Sequence, residues 1–276
     1  MPDLTRLYLD TVKALILNDI YAEAEAERAY LIKCVDGVEQ FDARAFYSGA
    51  VIDPETMRSI EAAHRTGRHH EGLLKFATIG ASMIGRARLD NVQTCLTTAL
   101  AEGVAGDFVE CGVWRGGACA FAKAVLIAHG SDRTVWLADS FEGLAEPEHP
   151  ADTIDLSAWK YPMLAVPRAR VQALFERLGL MDAGVRFLEG WFNETLAAAP
   201  IGAIAVLRLD GDYYDSTMTP LRVLYDRVSP GGFVIADDYG LLEPARRAVD
   251  EFRADNGIAA PLIDIDGQGH FWRKPG

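Results

Sequence analysis

Two short acidic stretches have the composition and spacing to do chemistry. One is Arg208-Leu209-Asp210-Gly211-Asp212-Tyr213-Tyr214-Asp215, the other Ile235-Ala236-Asp237-Asp238-Tyr239. Each follows a short apolar run rich in β-branched residues, 203–207 and 232–236, of the kind that forms buried parallel strands. An amphipathic segment, 221–228, closed by Ser229-Pro230-Gly231-Gly232, lies between them, so the unit reads strand, helix, strand. A right-handed crossover sets such strands side by side or nearly so and brings Asp210, Asp212, Asp237 and Asp238 to one edge of the sheet, the edge where open α/β sheets bind ligands. Four carboxylates so placed repel by about 3 kcal/mol per pair at about 5 Å and an effective dielectric of about 20, so a cation is expected to offset them. Oxygen-only donors suit Mg²⁺, Mn²⁺ or Ca²⁺, and no His/Cys set matches zinc. The alternative is a row of strand-end acids facing water, with Asp237 and Asp238 in turn or cap roles.

The elements that would position these groups are those of a doubly wound fold. Asp107-Phe108-Val109-Glu110 reads as a strand that runs into Cys111-Gly112-Val113-Trp114-Arg115-Gly116-Gly117 and then a helix, 118–129. Strand, glycine-rich turn and helix form a first nucleotide-binding unit. The spacing is not G-x-G-x-x-G, and Glu110 stands two residues before Gly112. A pyrophosphate would be repelled by that acid, whereas a cationic amino-acid ligand would be drawn to it, which favours an adenosyl-amino acid over NAD. A second strand, 134–138, ends at Asp139-Ser140, where an acid can accept from both ribose hydroxyls; a helix cap is the other reading, although no helix is expected to follow. The third strand, 185–188, ends at Glu189-Gly190-Trp191-Phe192, which can pack on an adenine ring or belong to the core. Ahead of a helix at 89–102, the small-residue run containing Ser82 and Met83 can pass close to a ligand or merely turn a corner. Residues 141–166, with Pro147, Pro150 and Pro162, are too many for an ordinary connection and read as a lid or substrate loop. Helices at 168–179 and 243–256 and a closing antiparallel hairpin, 261–266 with 270–273, complete the pattern.

Composition sets the limits. The chain has 276 residues, 50% of them hydrophobic, enough for one α/β domain with an extension. A net charge of -13 argues against nucleic acid and anionic membranes as partners. Four cysteines without C-x-x-C spacing point to reduced thiols, and no basic-apolar leader or 18-residue apolar run is present, so a cytoplasmic protein is expected. The first 75 residues read as a helical cap. In it, a helix at 4–19 starting at Asp3 or Thr5 carries Leu7, Val12, Leu15 and Ile16 on one face, 22–30 is helix-prone, and a further helix, 55–64, follows Asp53-Pro54. His64, His69 and His70, around the polar run 65–71, read as a solvated loop in preference to a metal site, because no third ligand stands nearby. An isolated cap of this kind invites association, so a dimer or larger assembly is expected.

These residues resemble the macrocin O-methyltransferases, Mg²⁺- and S-adenosylmethionine-dependent enzymes that methylate sugar hydroxyls of glycosylated natural products. The resemblance runs through Leu7-Tyr8-Leu9-Asp10, Ser82-Met83-Ile84-Gly85, Arg88-Leu89-Asp90-Asn91, Glu110 to Gly117, Arg133 to Trp136, Asp139 to Leu144, Val185 to Phe192, Leu207 to Thr217 and Ser229 to Gly240. It implies a Rossmann-like class I methyltransferase domain, a mostly parallel α/β sheet with a C-terminal antiparallel hairpin, over 76–276. The cap, 1–75, would then contribute to the acceptor pocket. It further implies Asp210, Asp237 and Asp238 as ligands of Mg²⁺ or Mn²⁺, Asp212 as general base, and Glu110, Gly112, Asp139 and Ser140 at the S-adenosyl-L-methionine site, to which the reading of the loops above adds Ser82, Met83, Gly190 and Trp191. Cys111 stands where the family usually has Thr, and 18–77 matches poorly, which leaves the glycoside acceptor open.

The chemistry agrees with the residue types. A carboxylate of pKa about 4 facing an alcohol as weak as water, about 15.7, is short by about 16 kcal/mol, so a lone Asp cannot generate an alkoxide and a metal is needed. A catechol-type methyltransferase on a small aromatic diol would use the same geometry. A nicotinamide-dependent sugar oxidoreductase would use the same sheet but lacks G-x-G-x-x-G and a Tyr-x-x-x-Lys pair, and a non-catalytic binding protein would not need the whole Asp set.

Overall fold

The structure is a computed structural model that describes residues 3–67, 78–157 and 160–276. Packing divides it into two compact units, Met1–Leu89 and Asp90–Gly276.

The first unit is helical: α1 (Leu4–Leu17), α2 (Ala22–Val35), α3 (Ala43–Tyr47), α4 (Pro54–Thr66) and the start of α5 (Gly85–Ala101). Asp3 caps α1 by accepting from the Thr5 and Arg6 amides, and Asp53 caps α4 in the same way with Pro54 in the first turn. The buried face of α1 is Leu9, Val12, Ile16 and Leu17, so only half of the expected face is correct. At about 100° per residue, Leu7 and Leu15 are turned away from that arc, and they are 56% and 45% exposed. Ala22, Ala26 and Ile60 join α2 to α4 in a small apolar core. His64 is also corrected: it lies inside α4 and is buried, whereas His69 and His70 fall outside the described residues. The unit extends well past residue 75 because the segment before α5 returns to α1 and α2. There the Ala81 amide donates to the Ile16 carbonyl (2.7 Å) and the Ile79 amide donates to Glu25 Oε1 (2.8 Å).

The second unit is built on a seven-stranded sheet of order β3-β2-β1-β4-β5-β7-β6. Its strands are β1 (Asp107–Cys111), β2 (Val135–Asp139), β3 (Val185–Glu189), β4 (Ile204–Leu209), β5 (Val228–Ala236), β6 (Ile263–Asp264) and β7 (His270–Arg273). The first five run parallel, and β7 and β6 close the sheet as the expected antiparallel pair. Five further helices connect them: α6 (Gly117–Ala128), α7 (Arg168–Arg177), α8 (Phe192–Thr195), α9 (Tyr214–Leu224) and α10 (Glu243–Asp255). The crossover between the two acidic strands differs from expectation. Its helix occupies Tyr214–Leu224 with a 3-10 turn at Tyr225–Arg227, and β5 already begins at Val228. Pro220 lies within this helix, a position that normally ends one, and this conceals its first half in the sequence. The chain starts at the middle of the sheet, moves out to β3 and returns to β4 beside β1, so the order reverses between β1 and β4. The crevice at the carboxyl ends of those two strands is the position where such sheets bind ligands.

Candidate active site at the strand tips

Strand β4 is buried on both faces and stops at Leu209, so Asp210 is the first residue to leave the sheet; Asp237 does the same after β5. The tips are laced together by the Asp210 amide to the Cys111 carbonyl (2.8 Å), the Asp237 amide to Leu209 (2.9 Å) and the Gly112 amide to Ala138 (2.9 Å). Gly112 is demanded by this lacing. It has φ 90°, and a Cβ there would lie 1.7 Å from the Asp210 carbonyl oxygen, so the glycine first serves to seat the β1 loop on the acidic turn.

Asp210, Asp237 and Asp238 converge, each offering a carboxylate oxygen within 4.8 Å of the others, and Asp237 and Asp238 are buried. Asp212 stands outside that trio. The turn is made by Asp212 itself, at φ 63°, and its amide donates to Asp238 Oδ2 (3.2 Å). Its carboxyl is pushed up to about 8 by burial and then by the charges of Asp210 and Asp237. The three carboxylates of the trio, with Asp212 beside them, leave an excess of acidic groups at the tip.

This excess stands although a cation is already built in. Arg208, in β4, is fully buried; Nη1 ion-pairs Glu110 and lies 2.9 Å from Asp210 Oδ2, while Nη2 lies 2.5 Å from Asp237 Oδ1. Burial disfavours the charged guanidinium, but Asp237, Asp210 and Glu110 outweigh it and raise its pKa. Sequence reasoning missed this residue. The available signal was a charge between Leu207 and Leu209, at the end of a run that must be buried, where an ion needs a partner. Glu110, expected among the cofactor contacts, pairs with Arg208 and accepts from Cys119 Sγ, contacts the sequence did not indicate. Burial pushes Glu110 up to about 7, with Arg208 opposing the rise.

Around the crevice, Asp139 Oδ2 accepts from the Val113 and Trp114 amides (2.6 and 3.4 Å) and Oδ1 from Phe141 (2.7 Å). A carboxylate has about four acceptor sites, so one more hydrogen bond fits here more readily than the two a ribose diol offers. Burial raises its pKa against those backbone bonds. Ser140 closes a tight turn, its Oγ donating to the Gly143 carbonyl and accepting from the Glu142 amide, which replaces the helix cap considered for this tip. Gly190, at φ 133°, donates to the Asp139 carbonyl, so the β2 and β3 tips are tied. The pair that follows divides: Phe192 packs on the core, while Trp191 stands at the N-cap of α8, half-buried. Ser82 and Met83 belong to the first unit, where Ser82 Oγ accepts from the Ile84 amide.

The long segment 141–166 is anchored by side chains the sequence did not single out. Trp114 Nε1 donates to the Met163 carbonyl (2.9 Å), the Leu156 amide donates to the Tyr213 hydroxyl (2.5 Å), and Asp152 accepts from the Tyr214 amide (2.8 Å). His149 stacks on the Tyr214 ring at 4.0 Å. The segment is therefore fastened to both the glycine-rich turn and the acidic turn, as a loop bearing on a bound substrate would be.

The donor set fits a hard divalent cation: three carboxylates converge, all their donor atoms are oxygen, and they outnumber the one guanidinium among them. Among the described residues no helix is long and apolar enough to cross a membrane.

Comparison with known proteins identifies the family and the fold. The family model described as macrocin-O-methyltransferase (TylF) matches residues 5–274. An 8-demethyl-8-(2,3-dimethoxy-alpha-L-rhamnosyl)-tetracenomycin-C 4'-O-methyltransferase of Streptomyces olivaceus is 43% identical over 98% of this chain and 94% of its own length. Mycinamicin III 3''-O-methyltransferase of Micromonospora griseorubida is 40% identical over 97% and 96%. Among solved structures, the O-methyltransferase NovP superposes with a TM-score of 0.80 at 36% identity, covering 99% of this chain and 100% of that one. With a match over nearly its whole length and a sheet that places the acidic turns at the switch-point crevice, the chain belongs to the macrocin O-methyltransferase family and is an O-methyltransferase of the class I, Rossmann-like fold.

Proposed function

We propose that the enzyme transfers the methyl group of S-adenosylmethionine to a sugar hydroxyl of a glycosylated natural product, with Asp210, Asp237 and Asp238 holding Mg²⁺ or Mn²⁺ and Asp212 acting as general base. The observation that carries this reading is the convergence of the three carboxylates within 4.8 Å at the switch-point crevice, with Asp212 beside them but outside the trio. The sugar acceptor is supported by the relatives, whose names specify rhamnosyl-tetracenomycin, mycinamicin and novobiocin-type substrates. When bound, the cation would lower the pKa of the acceptor hydroxyl and the sulfonium would supply the methyl group. Asp212 is suited to receive the proton because it stands beside the trio and outside it; burial and then the neighbouring acids push its carboxyl up to about 8, and a cation held by the trio would oppose that rise and favour the charged form a base needs. The sulfonium would give its methyl group to the acceptor oxygen and become a neutral thioether, and Asp212 would take up the hydroxyl proton. Gly112, Asp139 and Ser140, with Gly190 and Trp191, would form the cofactor's side of the crevice. Glu110 would act there indirectly, through Arg208. The test is incubation with methyl-labelled cofactor and a panel of glycosides and catechols, with and without EDTA. Label on a glycoside that EDTA abolishes supports the proposal; label on catechols alone moves the assignment to a catechol-type enzyme.

A further inference from the structure

We propose that Arg208 is a positioning residue that shares Asp210 and Asp237 with the bound cation, makes each of them a single-oxygen ligand, and thereby tunes the site for Mg²⁺ over Ca²⁺. The proposal rests on the metal reading of the acidic tip given above. Its basis is the division of each carboxylate. Asp210 has Oδ2 at 2.9 Å from Arg208 Nη1, Asp237 has Oδ1 at 2.5 Å from Nη2, and Asp238 has Oδ2 on the Asp212 amide at 3.2 Å. A carboxylate with one oxygen committed to a guanidinium presents a cation with one oxygen, not two. Mg²⁺ demands a compact octahedron and keeps positions for water and substrate, whereas Ca²⁺ takes six to eight oxygens and readily accepts both from one carboxylate. Three single-oxygen ligands suit the first ion and under-fill the second.

The fork is held in place from behind. Glu110 pairs with Arg208 Nη1, and Cys119 donates to the other Glu110 oxygen, all within the buried core between β1, β4 and α6. A buried ion group of this kind is a weak source of stability, because desolvation opposes the Coulombic gain. Orienting the two acids gives it a use that stability does not. An arginine is required by the geometry: its planar fork reaches Asp210 and Asp237 at once, while a lysine ammonium is a single point of charge.

The test is calorimetric titration of the full-length protein with MgCl₂ and with CaCl₂, for the wild type, Arg208→Lys and the double variant Arg208→Met/Glu110→Gln. The double variant removes both buried charges together, so no unpaired carboxylate is left at position 110. Variants with a cooperative melt are compared by the ratio of the two dissociation constants, a readout that a purely structural role does not move. The expected result is a shift of that ratio toward Ca²⁺ by about tenfold or more in both variants, the size usual for groups that orient metal ligands. A ratio within about twofold of wild type in the folded variants overturns the proposal, and so does a shift in the double variant with none in Arg208→Lys, which would assign the effect to charge without geometry. If the wild type binds neither cation, the metal reading itself fails, an outcome distinct from the others.

Discussion

In the helical unit His64 bridges two acids, with Nδ1 at 3.0 Å from Asp19 Oδ1 and Nε2 at 3.1 Å from Glu25 Oε2; at the sheet tips Arg208 bridges Glu110, Asp210 and Asp237. Both are buried cations among carboxylates, yet the acids respond in opposite directions. Burial acts to raise Glu25, but the hydrogen bond from His64 and the Ile79 and Gly80 amides outweigh it, and its pKa falls. His64 rises, burial being overcome by Glu25 and Asp19. At the tips Glu110 climbs to about 7 and Asp212 to about 8. The helical cluster pairs one imidazole with two acids, whereas the sheet cluster sets one guanidinium among Glu110, Asp210 and Asp237, with Asp238 and Asp212 beside them. Strongly raised acids in a crevice are candidates for function, whereas ion-pair networks such as the helical one shift pKa values for structural reasons.

The comparison is broken most severely by removing an acid of the trio. Asp210→Asn should lower turnover by about 10³-fold or more, the several kcal/mol that a Lewis-acidic ion supplies, and leave cofactor affinity within a few fold. Full turnover in EDTA would show that the acids do not act through a metal. Asp212→Asn should lower kcat by about 10²–10⁴-fold with metal affinity nearly intact, the usual contribution of a general base. A parallel fall in metal affinity would make Asp212 a fourth ligand.

The helical cluster should fail differently. Glu25→Ala strands His64 and the Ile79 amide and should cost about 3 kcal/mol or more of stability, measured by denaturant unfolding, with metal affinity unchanged. The pH dependence sharpens the contrast. The contribution of His64, whose folded pKa is raised, is complete below about 6.5 and is lost as pH climbs through the folded value. That of Glu25, whose folded pKa is lowered, is complete above about 4.5 and is lost as pH falls through the folded value. The stability difference between wild type and His64→Ala should therefore be greatest between about pH 4.5 and 6.5; a difference that grows above that window would contradict the assignment. The smallest effect is expected for Tyr213→Phe, which removes the acceptor of the Leu156 amide and should cost about 1 kcal/mol, read as a higher KM if the segment 141–166 bears on the acceptor.

The positions of Asp210, Asp237 and Asp238 were legible in the sequence because their signal is local: an apolar β-branched run that stops at an acid. The sheet and its closing hairpin were legible for the same reason. Arg208 was not, because its partner Glu110 lies 98 residues away in the chain and is brought to it by the β1–β4 pairing. The pairing of Glu110 was hidden with it, because its contacts with Arg208 and Cys119 are tertiary facts. The outward turn of Leu7 and Leu15 was hidden because α1 has apolar residues on more than one face. The first half of α9 was hidden by Pro220, and His64 by a polar flank that makes the end of α4 look like a loop.

The claim that the acidic tip is a divalent-cation site is tested most directly by calorimetric titration of Mg²⁺ into the wild type and Asp238→Asn. The account predicts a single cation per chain in the wild type, an affinity weaker by about tenfold or more in Asp238→Asn, and melts that remain alike without metal. Equal affinity in the two proteins, or no binding by the wild type, would contradict it.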